Sequence, residues 1–239
     1  MQDFTQVLMV AAICSAVSYF ICGIPFGLLL GEFSGHVDIR KAGSGNIGTT
    51  NALRVAGPKV AAFTLLLDCL KGAICVTVSR FVIAQVCFAG NAGFCVPGAP
   101  GDWAVALVAL WSIWGHIFSP YLHFKGGKGI ACGLGAILGW YWPIGLSLLG
   151  FFIIGVAITR YVSVGSLMAA IGLPIATICV FPYASLPLKV FMAFIGVTVV
   201  WAHRSNIKKL ASGTESKLSF TKRVSKLDSD EYSTEKGQR

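Results

Sequence analysis

From Gly129 to Thr159 the chain carries no charged side chain, and that run constrains the fold more than any other feature. A stretch so apolar needs lipid around it. As one helix it would measure about 45 Å at 1.5 Å per residue, against about 30 Å for the hydrocarbon core of a bilayer. Pro143 stands inside it and interrupts the helical ladder, so the sequence predicts two short passes in place of one long one. Further apolar segments at 7–30, 60–84, 103–119, 164–181 and 187–203 bring the expectation to an all-α integral membrane protein of seven transmembrane helices. Hydrophobic residues make up 55% of the chain and charged ones 12%, outside the balance of a water-soluble domain. Segment 7–30 lacks a basic flank before it and a small-residue cleavage site after it, so it reads as a retained span and not a signal peptide.

The basic residues test the count. With seven spans, sixteen of the nineteen lysines and arginines fall on one side, and the loops opposite hold none. The remaining three, Lys71, Arg80 and Lys189, lie within or at the edge of spans. The positive-inside rule then puts the N-terminus outside and the C-terminus in the cytoplasm. Asp68 and Lys71, spaced i, i+3 inside the second span, share a helix face and read as a structural brace. The eight cysteines mostly lie in apolar runs, where Cys is a small hydrophobe. No Cys-x2-Cys pair or other metal-ligand spacing occurs. Cys87 and Cys95 flank an outer loop, which leaves open a disulfide closing it if that side is oxidising.

Four polar stretches gather on the cytoplasmic side, each suited to an anion. The first is Gly43-Ser44-Gly45-Asn46-Ile47-Gly48-Thr49-Thr50-Asn51, with Arg54 a turn later. It matches G-x-G-x-x-G, but no buried strand precedes it, so the dinucleotide reading fails. What remains is a glycine-permitted turn whose amides and hydroxyls face an anion, with Arg54 able to grip phosphate oxygens in a fork. The second, Gly115 to Gly135, brackets Gly126 and Gly127 between Lys125 and Lys128, with Gly129 next and His116 upstream. A backbone without Cβ atoms and two cations suit a phosphate. It is not a nucleotide P-loop, since Leu122 and Gly129 stand where that motif needs Gly and Ser or Thr; the plainer reading is a cationic loop at a membrane surface.

In the third stretch, Arg160-Tyr161-Val162-Ser163-Val164-Gly165-Ser166, the serines at 163 and 166 are open to two readings, substrate contact or helix N-capping. The fourth runs from His203-Arg204-Ser205-Asn206-Ile207-Lys208-Lys209-Leu210 to Gly213 and Glu215, and His203 and Asn206 share a helix face.

These four stretches resemble the membrane-integral, acyl-phosphate-dependent glycerol-3-phosphate acyltransferases, the PlsY family. The first is similar to that family's S-G-N-x-G-x-T-N-x-x-R, the second to G-H-x-x-x-P-x-x-x-F-K-G-G-K-G-x-A, the third to R-Y-x-S-x-x-S, and the fourth to H-R-x-N-I-K-R-L-x-x-G-x-E, with Lys209 in place of Arg. The likeness covers residues 1–215 as one acyltransferase domain; Cys132 stands where Thr is expected. It implies a bacterial inner-membrane enzyme that moves an acyl group from acyl phosphate to glycerol 3-phosphate, giving 1-acyl-glycerol 3-phosphate and inorganic phosphate in phospholipid synthesis. An upstream enzyme that forms acyl phosphate would be a partner, membrane lipid the surroundings, and no cofactor, metal or nucleic acid would be needed.

The resemblance assigns phosphate binding to Ser44, Gly45, Asn46, Thr50, Asn51, Arg54, Lys125, Gly126, Gly127, Lys128, Gly129, Ser163 and Ser166. It gives orientation of the substrate hydroxyl to His203 and Asn206, and support to His116, Asp68, Lys71 and Glu215. Two general bases stay open: the substrate's own phosphate, and His203, whose ordinary pKa of about 6.5 suits base chemistry near neutrality. No His-x4-Asp dyad follows any of the four histidines, so the acyl-CoA-dependent class fits poorly. Gly133, Gly135 and Gly139 are candidates to leave room for an acyl chain between helices. An organic-phosphate carrier is the second class, against which stand the absence of a repeat between halves and the one-sided basic sites. Residues 216–239 are basic and polar, too poor in apolar groups to build a core, and read as a disordered cytoplasmic tail.

Overall fold

The computed structural model describes residues 3–218; the expected tail lies almost wholly outside them. The described chain is helical: α1 (Phe4–Gly23), α2 (Phe26–Gly35), α3 (Thr49–Val55), α4 (Pro58–Cys87), α5 (Asp102–Ile117), α6 (Ile130–Thr159), α7 (Val162–Val180), α8 (Leu186–Ala202) and α9 (Arg204–Ala211). The described residues divide into two compact units, one of residues 3–25 and 66–217, the other of residues 26–65.

In the larger unit α5 is the most enclosed candidate span, with α1, α6 and α8 packed around it. Its small and β-branched residues, Ala104, Val105, Ala106, Val108, Ala109 and Ile113, are all shut away from the surface. Around the outside, large apolar side chains point away from the protein, as at Ile74, Val78 and Phe81 of α4 and Ile171, Ile175 and Ile178 of α7. Such a surface suits lipid and not water. Five helical segments among the described residues are long and apolar enough to cross a membrane, and a sixth if α8 and α9, bent by 56° at His203, count as one broken span.

The expected division of 129–159 takes an unforeseen form. Helix α6 is continuous from Ile130 to Thr159 except at Tyr141, whose φ of −150° and ψ of 95° are extended. A Cβ on Gly145 would lie 3.1 Å from the Leu138 Cα, a pair that a straight helix holds about 10 Å apart. The chain therefore folds back on itself at Tyr141, two residues before Pro143, which falls in the first turn of the limb that follows, where its missing N–H breaks no helical hydrogen bond. Two limbs result, 130–140 and 142–159.

The first limb packs on α4 with almost nothing between the backbones. A Cβ on Gly72 would stand 2.2 Å from the Cys132 carbonyl oxygen, one on Gly135 1.8 Å from the Cys69 oxygen, and one on Gly139 2.6 Å from the Ala73 oxygen. This corrects the expectation that Gly135 and Gly139 make room for an acyl chain: α4 fills that space. Small residues here permit close helix contact, the usual basis of association in lipid. At the other end of α5, Asp102 is fully buried and accepts from the backbone amides of Gly98 and Ser185, both at 3.0 Å, and from the Ser185 hydroxyl. Cys87 and Cys95 are both free thiols, so the disulfide left open from sequence is not formed.

The smaller unit contains the first polar stretch. The break at Ile24-Pro25 ends α1 earlier than the expected 7–30 span, and α2 follows as a separate helix. Gly27 of α2 lies against the Ile47 carbonyl, where a Cβ would come within 2.0 Å of the oxygen.

Candidate active site

In the larger unit the glycine-lysine loop is built by a reversal of the chain just beyond α5. Ser119 anchors it, donating its hydroxyl to the Gly23 carbonyl at 2.6 Å. His123 and Phe124 both take left-handed backbone angles, φ 51° and 61°, an uncommon pair for residues with side chains. They turn the chain so that the Gly126 amide donates to the Ile117 carbonyl at 2.9 Å and the Gly127 amide to the His116 carbonyl at 3.0 Å. The amides of Gly126 and Gly127, expected to face a phosphate, are thus taken up by the C-terminal end of α5. Packing explains why both must be glycine: a Cβ on Gly126 would meet the His116 carbonyl oxygen at 2.1 Å, and one on Gly127 the His116 Nε2 at 2.1 Å.

What the loop leaves open is the N-terminus of α6. Gly129 caps it at φ 82° with no side-chain cap, and the first-turn amides have no partner within the helix. Open amides at the positive end of a helix form an anion site. Lys128 stands beside them and donates to Asn206 Oδ1, while Asn206 Nδ2 donates to Glu215 Oε1 at 2.8 Å. Residues 78 positions apart in the chain are thereby joined. Lys125 is exposed.

His203 lies past the end of α8 and is buried. Its Nδ1 is 2.8 Å from the Val199 carbonyl; a carbonyl only accepts, so Nδ1 carries the proton and Nε2 is left as an acceptor.

The serines of the third stretch are not caps. Helix α7 begins at Val162 after Tyr161, with no side-chain cap. Ser166 donates back to the Val162 carbonyl at 2.9 Å, whereas the Ser163 hydroxyl is buried without a partner among the described residues. The third stretch also meets the chain beyond α9, for the Lys217 ammonium sits 5.8 Å from the centre of the Tyr161 ring.

Behind the loop is the expected brace. Lys71 Nζ pairs with Asp68 Oδ1 at 2.7 Å and donates to the Ile24 carbonyl at 2.8 Å, both side chains almost wholly buried. His116 Nδ1 is 3.7 Å from the same carboxylate oxygen. The brace thus reaches the loop through the imidazole against which Gly127 packs.

The first stretch belongs to the smaller unit, where its own backbone organises it. Asn51, expected to bind phosphate, is 1% exposed and fully engaged: Nδ2 donates to the carbonyls of Ile39 at 2.7 Å and Ala42 at 3.3 Å, and Oδ1 accepts the Ser44 amide at 2.8 Å. Asn46 Oδ1 accepts the Gly48 amide at 2.9 Å. Gly43 and Gly45 take φ of 63° and 70°, which the turn demands. Thr49 and not Thr50 presents a buried hydroxyl without a partner among the described residues. Arg54 is half-buried on α3 and forms no ion pair among the described residues.

Against known proteins, residues 12–213 match the model of the glycerol-3-phosphate acyltransferase family. The chain belongs to that family. A relative from Geobacter sulfurreducens, named glycerol-3-phosphate acyltransferase, is 44% identical over 207 residues, covering 86% of this chain and 96% of its own. Another of the same name from Synechococcus sp. (strain CC9902) is 36% identical over 203 residues, covering 85% and 92%. Among solved structures the fold is similar to that of PlsY, an integral membrane glycerol 3-phosphate acyltransferase. Its glycerol 3-phosphate form matches with a TM-score of 0.74 at 28% identity, covering 87% of this chain and 96% of that one. Its lysophosphatidic acid form gives 0.73 at 26%, covering 89% and 97%. The chain is accordingly an acyltransferase of phospholipid synthesis and an integral membrane protein.

Proposed function

We propose that this enzyme transfers an acyl group from acyl phosphate to glycerol 3-phosphate at the cytoplasmic face of a bacterial inner membrane. The observation that carries the reading is the link from Lys128 to Asn206, which sets a cation and open helix amides next to the turn that holds His203. An acyl phosphate is an activated mixed anhydride whose leaving group departs as an anion, so cations and oriented amides matter more than a strong acid. The hydroxyl oxygen of glycerol 3-phosphate attacks the acyl carbon, the carbon–oxygen bond to phosphate breaks, and phosphate leaves with the electron pair. The hydroxyl proton passes to the phosphate of glycerol 3-phosphate. His203 donates from Nδ1 to the Val199 carbonyl, and its Nε2 accepts from the attacking hydroxyl and orients it.

Lys125, Lys128, the amides from Gly129 onward and the hydroxyl of Ser163 bind phosphate oxygens, while Ser166, expected to do the same, donates its hydroxyl to the Val162 carbonyl. The glycine turn of the smaller unit, with Ser44, Gly45, Asn46, Thr50 and Arg54, is assigned phosphate binding in its own right. Glu215, Asp68, Lys71 and His116 support these groups. Seven passes are supported by the fold-back at Tyr141, which splits α6, and by the placement of the basic residues; they put the N-terminus outside and the C-terminus inside. Residues 216–239 are an accessory tail. Purified protein in detergent, given glycerol 3-phosphate with either acyl phosphate or acyl-CoA, tests the reading. Turnover from acyl phosphate without a membrane gradient, unaffected by chelator, is expected; comparable turnover from acyl-CoA, or none without a gradient, would overturn it.

A further inference from the structure

Arg80 is one of three basic residues that the cytoplasmic clustering leaves unexplained. It sits on α4, seven residues before that helix ends, and a guanidinium there is costly to hold among lipid tails. Its partner shows what it does. Nη1 donates to the Trp140 carbonyl at 3.0 Å, and one turn earlier the Thr77 hydroxyl reaches the Gly139 carbonyl at 3.4 Å. Gly139 and Trp140 are the last residues before the Tyr141 break, so their carbonyls have lost their helical partners.

The first limb of α6 has 11 residues and is about 16 Å long, against about 30 Å for a hydrocarbon core. Its C-terminal end carries the orphan carbonyls of Gly139 and Trp140 and the negative pole of the helix dipole. Arg80 brings both a donor and a positive charge to that end. Trp140 is wholly buried and Arg80 half-buried, so the contact is partly sheltered and its long stem can carry the rest of the head outward.

The opposite end of the same limb is the amide-lined N-terminus beside Lys128. Between the two ends, Gly72, Gly135 and Gly139 interlock with backbone, leaving little freedom to slide except along the axis. We infer that Arg80 is a positioning residue for phosphate binding, fixing the depth of the short limb so that its far end presents the α6 amides and Lys128 at the required place. Thr77 assists it. The kinetic part of this inference rests on the function proposed above; the binding part does not.

The test measures binding of inorganic phosphate to the full-length purified protein by thermal stabilisation, alongside KM and kcat with acyl phosphate and glycerol 3-phosphate. In Arg80→Met the dissociation constant for phosphate should rise about tenfold, with KM for acyl phosphate rising in step. Arg80→Lys, which keeps a charge and a donor, should return both to near wild type. Thr77→Val should shift them the same way by a smaller factor. Phosphate affinity in Arg80→Met within twofold of wild type overturns the inference, as does equal weakening in Arg80→Lys. If Arg80→Met does not fold, near wild-type phosphate affinity in Arg80→Lys together with weakened affinity in Thr77→Val is the expected result, and the absence of any shift in Thr77→Val overturns the inference. A wild-type protein that binds phosphate but does not turn over acyl phosphate sinks the proposed reaction and leaves the phosphate comparison intact.

Discussion

Gly126→Ala isolates the contact between the loop and α5. An added Cβ would stand 2.1 Å from the His116 carbonyl oxygen and 2.8 Å from that of Ile117. Ordinary contact begins at 3.4 Å, so the nearer oxygen is short by 1.3 Å. Both neighbours are backbone at the end of a buried helix and cannot rotate away as a side chain would. The loop must move, and with it Lys128 two residues on. A displacement of about 1 Å at a reacting centre costs about 100-fold, equivalent to about 2.7 kcal/mol in transition-state stabilisation. Overpacking adds about 1–3 kcal/mol to the stability cost. The assay is kcat/KM for acyl phosphate in detergent, normalised to folded protein, with Gly150→Ala as control because nothing lies within 4 Å of its added Cβ. Activity of Gly126→Ala within threefold of the control, with melting unchanged, would refute the claim that the loop's place is set by this contact.

Lys128→Ala should lower kcat/KM by orders of magnitude, whereas Lys208→Ala, exposed on α9, should stay near wild type; equal losses at both would reduce the loop to surface charge. Asp68→Asn leaves the Lys71 ammonium buried without its carboxylate, at a cost of about 3–5 kcal/mol, read as a lowered melting temperature that the double change Asp68→Asn with Lys71→Met partly restores.

Local chemistry was readable in the sequence; its long-range use was not. Asp68 and Lys71 three residues apart could be paired from helix geometry alone, and the reversal of 129–159 followed from its length and Pro143. The glycines at 126 and 127 announced a close backbone approach, but a sequence does not say to what, and the answer is α5 and not a ligand. Gly135 and Gly139 were misleading for the same reason: absence of a side chain looks alike whether the space is left for an acyl chain or filled by α4. Asn51 carries a side chain suited to an anion and uses it on its own loop. The hydrogen bond from Lys128 to Asn206 crosses 78 residues, and neither segment contains a local trace of it. Arg80 was visible as a misplaced charge, but its partner is a carbonyl, a group every residue owns.

The interlock of α4 with the first limb of α6 also bears on how such a chain can diverge. At Gly72, Gly135 and Gly139 a single methyl group collides with main-chain atoms, so almost any replacement is eliminated. At Ile74, Val78 and Phe81, one face away on the same helix, lipid accepts any apolar side chain of nearly any shape. Drift in this molecule therefore has two tempos on one helix. Lineages can exchange most of their lipid-facing residues while the inner seam stands still, and a descendant can keep its architecture after its outer sequence has become hard to align.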